Sequence, residues 1–194
     1  MTTAEIRRVD RCLVGSRNEA RNRALLYLGL GTGMRIAELV SLTIGDVAPF
    51  GEVLDHIVLD NRTKSRRSRT VWLTPQAQRV LVDYIPPYPD TFGALETRDH
   101  QAYRERPLFG SNRRSSPLTA NAAVKLLTHM FRQAGVANAS SHSLRRTHAN
   151  QLRRTGADLK LIQEQLGHAS LSTTERYFDV DPLEKQAALA KVRF

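Results

Sequence analysis

The segment from Ser140 to Tyr177, SSHSLRRTHANQLRRTGADLKLIQEQLGHASLSTTERY, contains the residues that decide the fold of this chain. It holds His142, Arg145, His168 and Tyr177. A guanidinium presents a planar donor fork to two phosphate oxygens, an imidazole donates single hydrogen bonds, and a phenol can act as an oxygen nucleophile. These residue types therefore suit the handling of a phosphate group.

The first half of this segment predicts a helix from His142 to about Thr155. Ser141 is its candidate N-cap, and Gly156 suits the left-handed position at which many helices end. Arg145 follows His142 by three residues. At this spacing both side chains lie on one face of the helix and can hold the same anion.

The second half predicts another helix, which begins after the N-cap Asp158 and ends at Gly167. Its apolar residues recur at helical spacing and form a stripe for burial: Leu159, Ile162 and Leu166. His168 then lies just beyond the end of this helix.

Three short motifs in this segment resemble the catalytic signature of the tyrosine recombinases, also called phage integrases. They are His142-x-Leu144-Arg145, Leu166-Gly167-His168 and Thr173-Thr174-x-x-Tyr177. The step of three residues from His142 to Arg145 and the step of nine from His168 to Tyr177 both match the family pattern. The resemblance implies the fold of a tyrosine recombinase catalytic domain, which is mainly α with a small antiparallel β-sheet (α+β).

The composition indicates one globular domain with a basic surface. The chain has 194 residues, of which 41% are hydrophobic, and its formal net charge is +10 because 29 Lys and Arg outnumber 19 Asp and Glu. This charge favours a polyanionic partner, and nucleic acid is favoured over a membrane because no apolar run approaches about 18 residues. The first residues, MTTAEIRRVDRC, lack the apolar core of a secretory signal.

The single cysteine, Cys12, cannot form an internal disulfide or a cysteine-based zinc site, so we expect a cytoplasmic protein. We expect Cys12 to be a small buried residue on a first helix at residues 3–14. His56, His100, His129 and His148 lack the spacing of metal ligands. We therefore predict that they are surface or packing residues, with neither a metal site nor a cofactor.

A second helix is predicted from Asn18 to Leu30, and Gly31-Thr32-Gly33 ends it. A new helix follows at once and places Arg35 in its first turn, where backbone N–H groups favour an anion. The resemblance makes Arg35 the first catalytic arginine and Glu38 a supporting acid. The alternative is a surface arginine that pairs with Glu38 at helical spacing.

Residues 52–60 and 69–74 predict two strands joined by a basic turn. The family places a catalytic lysine on this turn, and Lys64 falls at the corresponding position. Its neighbours Arg62, Arg66 and Arg67 are predicted to bind DNA. The alternative for Lys64 is a phosphate contact without a catalytic role.

Two further helices are predicted around a second basic loop. One runs from Pro75 to about Ile85 behind the cap Thr74, and the other follows the cap Thr119 from 120 to about 134. The loop at residues 111–116 carries Arg113 and Arg114, which we predict to bind DNA.

The resemblance implies a site-specific recombinase that cuts and rejoins DNA strands for integration, excision or inversion. Tyr177 would attack the phosphorus, Arg35 and Arg145 would hold its oxygens, and Lys64 would protonate the leaving 5′ oxygen. His168 would donate to a phosphate oxygen, and His142 would assist proton movement or bind the phosphate. The phosphotyrosine retains the energy of the broken bond, so ATP is unnecessary.

The implied partner is double-stranded DNA with paired recombination half-sites. The resemblance implies a homotetramer on this DNA, a monomer or weak oligomer when free, accessory proteins that bend DNA, and a location at the nucleoid. Two alternatives stay open: a DNA-binding regulator that has the fold but no chemistry, and a DNA-relaxing enzyme like type IB topoisomerases.

Residues 1–194 are expected to form one catalytic domain without the N-terminal core-binding domain that most members carry. The chain is either an isolated catalytic domain or similar to the short recombinases that invert fimbrial promoter segments. The tail at residues 178–194 predicts a short amphipathic helix at 184–191. The resemblance implies its exchange between protomers, and the alternative is packing in cis.

Overall fold

The computed structural model describes residues 1–60, 68–88, 98–111 and 116–167, together with Gln186 and Ala190. The helices within these residues are α1 Thr3–Leu13, α2 Glu19–Thr32, α3 Ile36–Val40, α4 Ile44–Val47, α5 Pro75–Tyr84, α6 Arg98–Arg104, α7 Ala120–Gln133, α8 Ser141–Arg154 and α9 Leu159–Leu166. The strands are β1 His56–Leu59 and β2 Arg69–Trp72. The predicted tail helix at 184–191 lies largely outside the described residues.

Most of the helix boundaries follow from capping residues. The side chains of Thr74, Thr119 and Asp158 each accept a hydrogen bond from the backbone N–H three residues further on. Such a cap typically contributes about 1 kcal/mol. Gly167 ends α9 in the left-handed conformation, with φ of +66°. The predicted bounds of α5, α7 and α9 are therefore confirmed to within about two residues.

Two further helix ends differ from the prediction by one or two residues. Ser140, and not Ser141, is the N-cap of α8, and its backbone N–H donates to Oγ of Ser143 at 3.0 Å. Helix α2 continues to Thr32, whose hydroxyl donates to the carbonyl of Leu28 at 2.6 Å. Gly33 is the first residue to leave the helical region, with φ of +64°.

Cys12 is exposed on α1, so the prediction that it is buried was wrong. The buried residues of α1 are Val9 and Leu13, which lie one turn apart on the same face. Cys12 lies about 100° around the helix from Leu13 and is therefore turned away from the core.

The main core surrounds α2, which packs against α5 and α8. Leu25, Leu26 and Leu28 of α2 are fully buried in one cluster with Phe109 and Phe131. A smaller cluster joins α8 to α9 through Ala149, Ile162 and Leu166. These contacts hold the end of α2, the start of α8 and the end of α9 in a fixed arrangement.

The two strands form an antiparallel sheet in which His56 lies opposite Trp72 and Leu59 opposite Arg69. Both strands are shorter than predicted. Before β1, Leu54 donates its backbone N–H to the carbonyl of Val47 and not to a strand partner. The mainly α architecture with a small antiparallel sheet is confirmed. Among the described residues, no helix has the length and apolar character needed to cross a bilayer.

The side-chain amide of Gln165 joins α9 to the edge of β2 that faces away from β1. Its Oε1 accepts from the backbone N–H of Trp72 at 3.2 Å, and its Nε2 donates to the carbonyl of the same residue at 3.0 Å. These bonds hold α9 beside the strand. As a result, Arg69 at the start of β2 lies against the turn that ends α9.

Candidate active site

The site is built on two glycine turns, the first of which is at Gly33. A Cβ at this position would lie 2.6 Å from Cδ2 of Leu166 and 2.8 Å from Cδ2 of His148. These separations, together with a φ of +64°, leave room only for glycine. The tight turn lets α3 begin immediately and places Arg35 at its N-cap. The prediction that Arg35 lies in the first turn was therefore wrong by one residue.

Glu38 occupies the centre of the described site and is 4% exposed. Its Oε2 accepts from the backbone N–H of Arg35 at 2.9 Å and from Nη2 of Arg69 at 2.7 Å. Its Oε1 accepts from Nη1 of Arg35 at 3.1 Å and from Nη1 of Arg69 at 3.2 Å. The carboxylate thus joins α3 to β2.

These contacts keep Glu38 ionised. Burial raises the pKa of this carboxyl, but the hydrogen bonds from Arg69 and from the backbone of Arg35, with the charges of both arginines, outweigh burial and lower it. A buried carboxylate at this position offsets part of the positive charge around it.

Arg145 is the most deeply buried arginine of the site, with 3% exposure. Its Nη1 donates to the carbonyl of Gly33 at 2.6 Å, and its Nη2 donates to the carbonyl of Leu166 at 2.7 Å. The first acceptor belongs to the turn at Gly33, and the second belongs to the other glycine turn, at Gly167. The guanidinium plane is therefore fixed between the end of α2 and the end of α9.

Arg35 and Arg145 converge on the carboxyl end of α9. Nη2 of Arg35 lies 3.5 Å from the carbonyl oxygen of Gly167, next to the Leu166 carbonyl that Arg145 contacts. Carbonyls at the end of a helix carry partial negative charge and attract cations. Because the Arg35 side chain is 47% exposed, an incoming anion can reach it.

Arg69 completes the site, and the motif analysis missed it. Its guanidinium lies on Gly167, where a Cβ would stand 2.6 Å from Cζ and Nη1. Three arginines and one glutamate leave a formal charge of 3 − 1 = +2 in this group. The sequence held only part of the signal: the period of two in a strand places Arg69 on the same face as Val71, which is buried, but it does not identify Glu38 as the partner.

His148 supports the first glycine turn. It is 5% exposed, as expected of a packing residue, and its Nδ1 lies 2.9 Å from the carbonyl of Leu30. Burial lowers the pKa of His148 to about 4, the bond to Leu30 opposes this change, and the charge of Arg145 adds to it. Since a carbonyl only accepts, the neutral ring carries its proton on Nδ1.

His142 is exposed in the first turn of α8, unlike the buried Arg145 on the same helix. Whether they share an anion stays a prediction. Within the described ranges, no group of three or more His, Cys, Asp or Glu side chains could hold a metal ion.

Several predicted site residues lie outside the described residues. They are Lys64, His168 and Tyr177 of the catalytic set, and Arg62, Arg66, Arg67, Arg113 and Arg114 of the DNA-binding set. His168 directly follows Gly167, the turn at which the three arginines meet.

Comparison with known proteins identifies related sequences along nearly the whole chain. Residues 1–184 match the model of the phage integrase family. Tyrosine recombinase XerD of Oceanobacillus iheyensis is 34% identical over 182 residues, which cover 89% of this chain and 55% of that protein. Tyrosine recombinase XerC of Bacillus pumilus is 34% identical over 169 residues, with 85% and 52% covered. The chain thus spans about half the length of the curated relatives it matches.

Solved structures share the fold. The crystal structure of XerA recombinase superposes with a TM-score of 0.74 at 24% identity and covers 100% of this chain and 64% of that one. XerH site-specific recombinase, bound to its difH substrate in a pre-cleavage complex, gives a TM-score of 0.67 at 25% identity, with 100% and 54% covered.

Proposed function

Because the chain belongs to the phage integrase family, we propose that it carries the catalytic unit of a tyrosine-type site-specific recombinase. Such a unit cuts and rejoins DNA strands through a 3′-phosphotyrosine. The observation that supports this most directly is the convergence of Arg35 and Arg145 on the turn that precedes His168. Separate elements supply these groups, and the described cluster as a whole keeps a positive charge.

The arginines are suited to hold a phosphodiester during its exchange. In the proposed reaction Arg35, which is half-exposed, binds a non-bridging oxygen first. The buried Arg145 then holds the phosphate from the interior side of the site. Negative charge grows on these oxygens as the nucleophile approaches, so fixed donors stabilise the transition state more than the ground state.

The motifs assign the remaining steps. Tyr177 forms a bond from its phenolic oxygen to phosphorus while the bond from phosphorus to the 5′ oxygen breaks in line. Lys64 gives its proton to that leaving oxygen, and His168 donates a hydrogen bond to a non-bridging oxygen. His142 accepts or relays the phenol proton, or binds the phosphate. A 5′ hydroxyl then attacks the phosphotyrosine and reseals the strand.

Two of the described tyrosines are poor candidates for the nucleophile. The hydroxyl of Tyr84 donates to the carbonyl of Leu108 at 2.7 Å, and that of Tyr103 donates to the carbonyl of Pro86 at 3.0 Å. Burial raises the pKa of both phenols. Both groups are therefore held in structural bonds, which favours Tyr177.

The experiment that tests this function is covalent capture of DNA. Duplexes selected by the protein from a random-sequence library are remade with a nick, so that cleavage releases a short strand and traps the adduct. We expect the wild-type chain to form an adduct that survives a denaturing gel. Tyr177→Phe should form none but bind the duplex almost unchanged, because it loses one oxygen and no charge.

Tyr84→Phe is the matched control, since it also removes one phenolic oxygen, and it should still form the adduct. An adduct that persists in Tyr177→Phe rejects the assignment of the nucleophile. Relaxation of supercoiled plasmid without a selected site would instead indicate an enzyme like type IB topoisomerases.

The proposed substrate is double-stranded DNA with paired half-sites, where four protomers assemble and DNA-bending proteins assist. The basic composition supports this partner, and a DNA substrate agrees with a cytoplasmic location at the nucleoid. Deleting residues 183–194 should weaken occupancy of two half-sites more than binding to one, if the tail is exchanged. Equal losses at single and paired sites would indicate packing in cis.

A further inference from the structure

We propose that Arg69 is a positioning residue that neutralises the carboxylate of Glu38. The positive charge of the Arg35 guanidinium is then available to the DNA phosphate and is not cancelled by Glu38. This inference rests on the proposed function, because the phosphate is the substrate of that reaction. Arg69 acts through Glu38 and Arg35 and does not itself touch the reacting atoms.

The first support is the sharing of one carboxylate by two arginines. Oε1 of Glu38 accepts from Nη1 of Arg35 and from Nη1 of Arg69, at 3.1 and 3.2 Å. Oε2 accepts from Nη2 of Arg69 at 2.7 Å, the shortest of the side-chain contacts to this carboxylate that we measure. Arg69 thus makes a bidentate pair, whereas the side chain of Arg35 contacts only one oxygen.

The second support is the difference in exposure between the two arginines. The side chain of Arg69 is 12% exposed and that of Arg35 is 47% exposed, while Glu38 between them is 4% exposed. Arg69 is therefore the inner counter-ion, and Arg35 is the outer group that a phosphate can approach. Without Arg69, the full charge of Glu38 would attract Arg35, and the two would form a neutral pair that binds a phosphate poorly.

The third support is the contact of Arg69 with the turn that precedes His168. A Cβ on Gly167 would lie 2.6 Å from Nη1 and 2.7 Å from Nε of Arg69, so the guanidinium rests directly on the backbone of this glycine. That Nε is buried and has no hydrogen-bond partner among the described residues. The side chain of Arg69 thus contacts both Glu38, which is the counter-ion of Arg35, and the turn at Gly167.

The test compares cleavage by four proteins at saturating protein concentration. They are the wild type, Arg69→Gln, the double variant Arg69→Gln/Glu38→Gln, and the control Arg23→Gln. The readout is the single-turnover rate constant for adduct formation on the nicked duplex. Arg23 forms a bidentate pair with Asp10 on α1, so the control removes the same type of interaction elsewhere.

We expect Arg69→Gln to slow cleavage by about 100-fold, because Glu38 then captures Arg35, and the loss of a transition-state donor has an effect of this size. The double variant removes the carboxylate that would capture Arg35, and it should cleave about tenfold faster than Arg69→Gln, a change of about 1.4 kcal/mol in the barrier. Arg23→Gln should match the wild type. A double variant that is as slow as Arg69→Gln, or slower, would overturn the proposal, since release of Arg35 from the carboxylate would then not restore the rate.

Arg69→Lys keeps the inner positive charge and serves where Arg69→Gln does not fold, as judged by its thermal unfolding transition. It should retain most of the cleavage rate, and a folded Arg69→Lys with the 100-fold loss predicted for Arg69→Gln would contradict the charge argument. Failure of the wild type to form any adduct would reject the proposed function instead. An adduct formed equally by the wild type and Arg69→Gln would reject only the role of Arg69.

Discussion

Two arginine–carboxylate pairs in this protein have similar geometry and different surroundings. Arg23 contacts Asp10 through Nε and Nη2, at 2.8 and 3.0 Å, and the two side chains are 37% and 21% exposed. Arg69 contacts Glu38 through Nη1 and Nη2, at 3.2 and 2.7 Å, with exposures of 12% and 4%. The outer pair joins α1 to α2, and the inner pair joins α3 to β2.

The difference shows that geometry alone does not decide what an ion pair contributes. Water screens the outer pair, so its weak attraction is largely offset by the entropy lost when the two side chains are ordered. The inner pair has lost most of its water, and Arg69 would be a buried, uncompensated charge without Glu38. A change in the inner region should therefore affect both stability and chemistry, whereas a change in the outer pair should affect neither strongly.

The largest expected effect comes from breaking the inner pair with Glu38→Ala. This change leaves Arg69 buried without its counter-ion, and it should lower the free energy of unfolding by about 3–5 kcal/mol. Urea unfolding followed by circular dichroism measures the difference. A loss of less than about 1 kcal/mol would place the inner pair in the same class as an exposed one.

A second effect concerns the buried His148, which lies beside the same arginine network. Its pKa of about 4 in the folded state lies below its ordinary value of 6.5. Above pH 6.5 the ring is neutral in both states, but between pH 6.5 and 4 only the unfolded state takes up the proton. Stability should therefore fall by about 3 kcal/mol as the pH decreases through this window.

The pH dependence is measured by urea unfolding of the wild type and of His148→Gln, which retains a donor for the Leu30 carbonyl but does not titrate. The difference between the two proteins should be confined to the window from pH 6.5 to 4. Identical pH profiles would contradict a lowered pKa of His148 in the folded protein.

The two glycines that follow α8 and α9 provide a smaller and matched test. Gly156 and Gly167 both have positive φ, +86° and +66°, so alanine at either position should lower the free energy of unfolding by about 1–2 kcal/mol. A Cβ on Gly156 meets nothing within 4 Å, whereas one on Gly167 would meet Arg69 at 2.6 Å. Only Gly167→Ala should therefore also slow covalent capture of DNA, and equal capture rates in the two variants would contradict the contact.

The smallest effect is expected from breaking the outer pair with Asp10→Ala. Because both side chains remain partly exposed, the loss in the free energy of unfolding should be about 0.2–1 kcal/mol. Salt should reduce this difference further, since it screens exposed charges. A loss as large as that of Glu38→Ala would remove the distinction between the two pairs.

The sequence predicted the scaffold of the site well because its signals are local. Asp158 caps α9 and Gly167 ends it as expected, and the helical spacing of Ile162 and Leu166 identified the buried face. The motif resemblance selected Arg35 and Arg145, which the fold then brings to one turn from positions 110 residues apart (145 − 35).

The partner of Glu38 could not be predicted in the same way. At helical spacing Arg35 is the obvious partner, and it does contact Glu38, but the bidentate contact comes from Arg69, 31 residues further along the chain. That choice depends on how β2 packs against α9, and no local period encodes such packing. Similarly, the residues around Cys12 do not show on which face of the helix it lies. Only the burial of Val9 and Leu13 shows that Cys12 is on the outward face.

The amide of Gln165 has a consequence for self-association of the protein. An unpaired strand edge is a template on which another chain can add a strand and begin to aggregate. Gln165 occupies both backbone groups of Trp72, and so a side chain takes the place of a neighbouring strand. If α9 detaches, the edge of β2 opens together with the exposed indole of Trp72, and the same event that dismantles the arginine site also creates a surface for β-sheet growth.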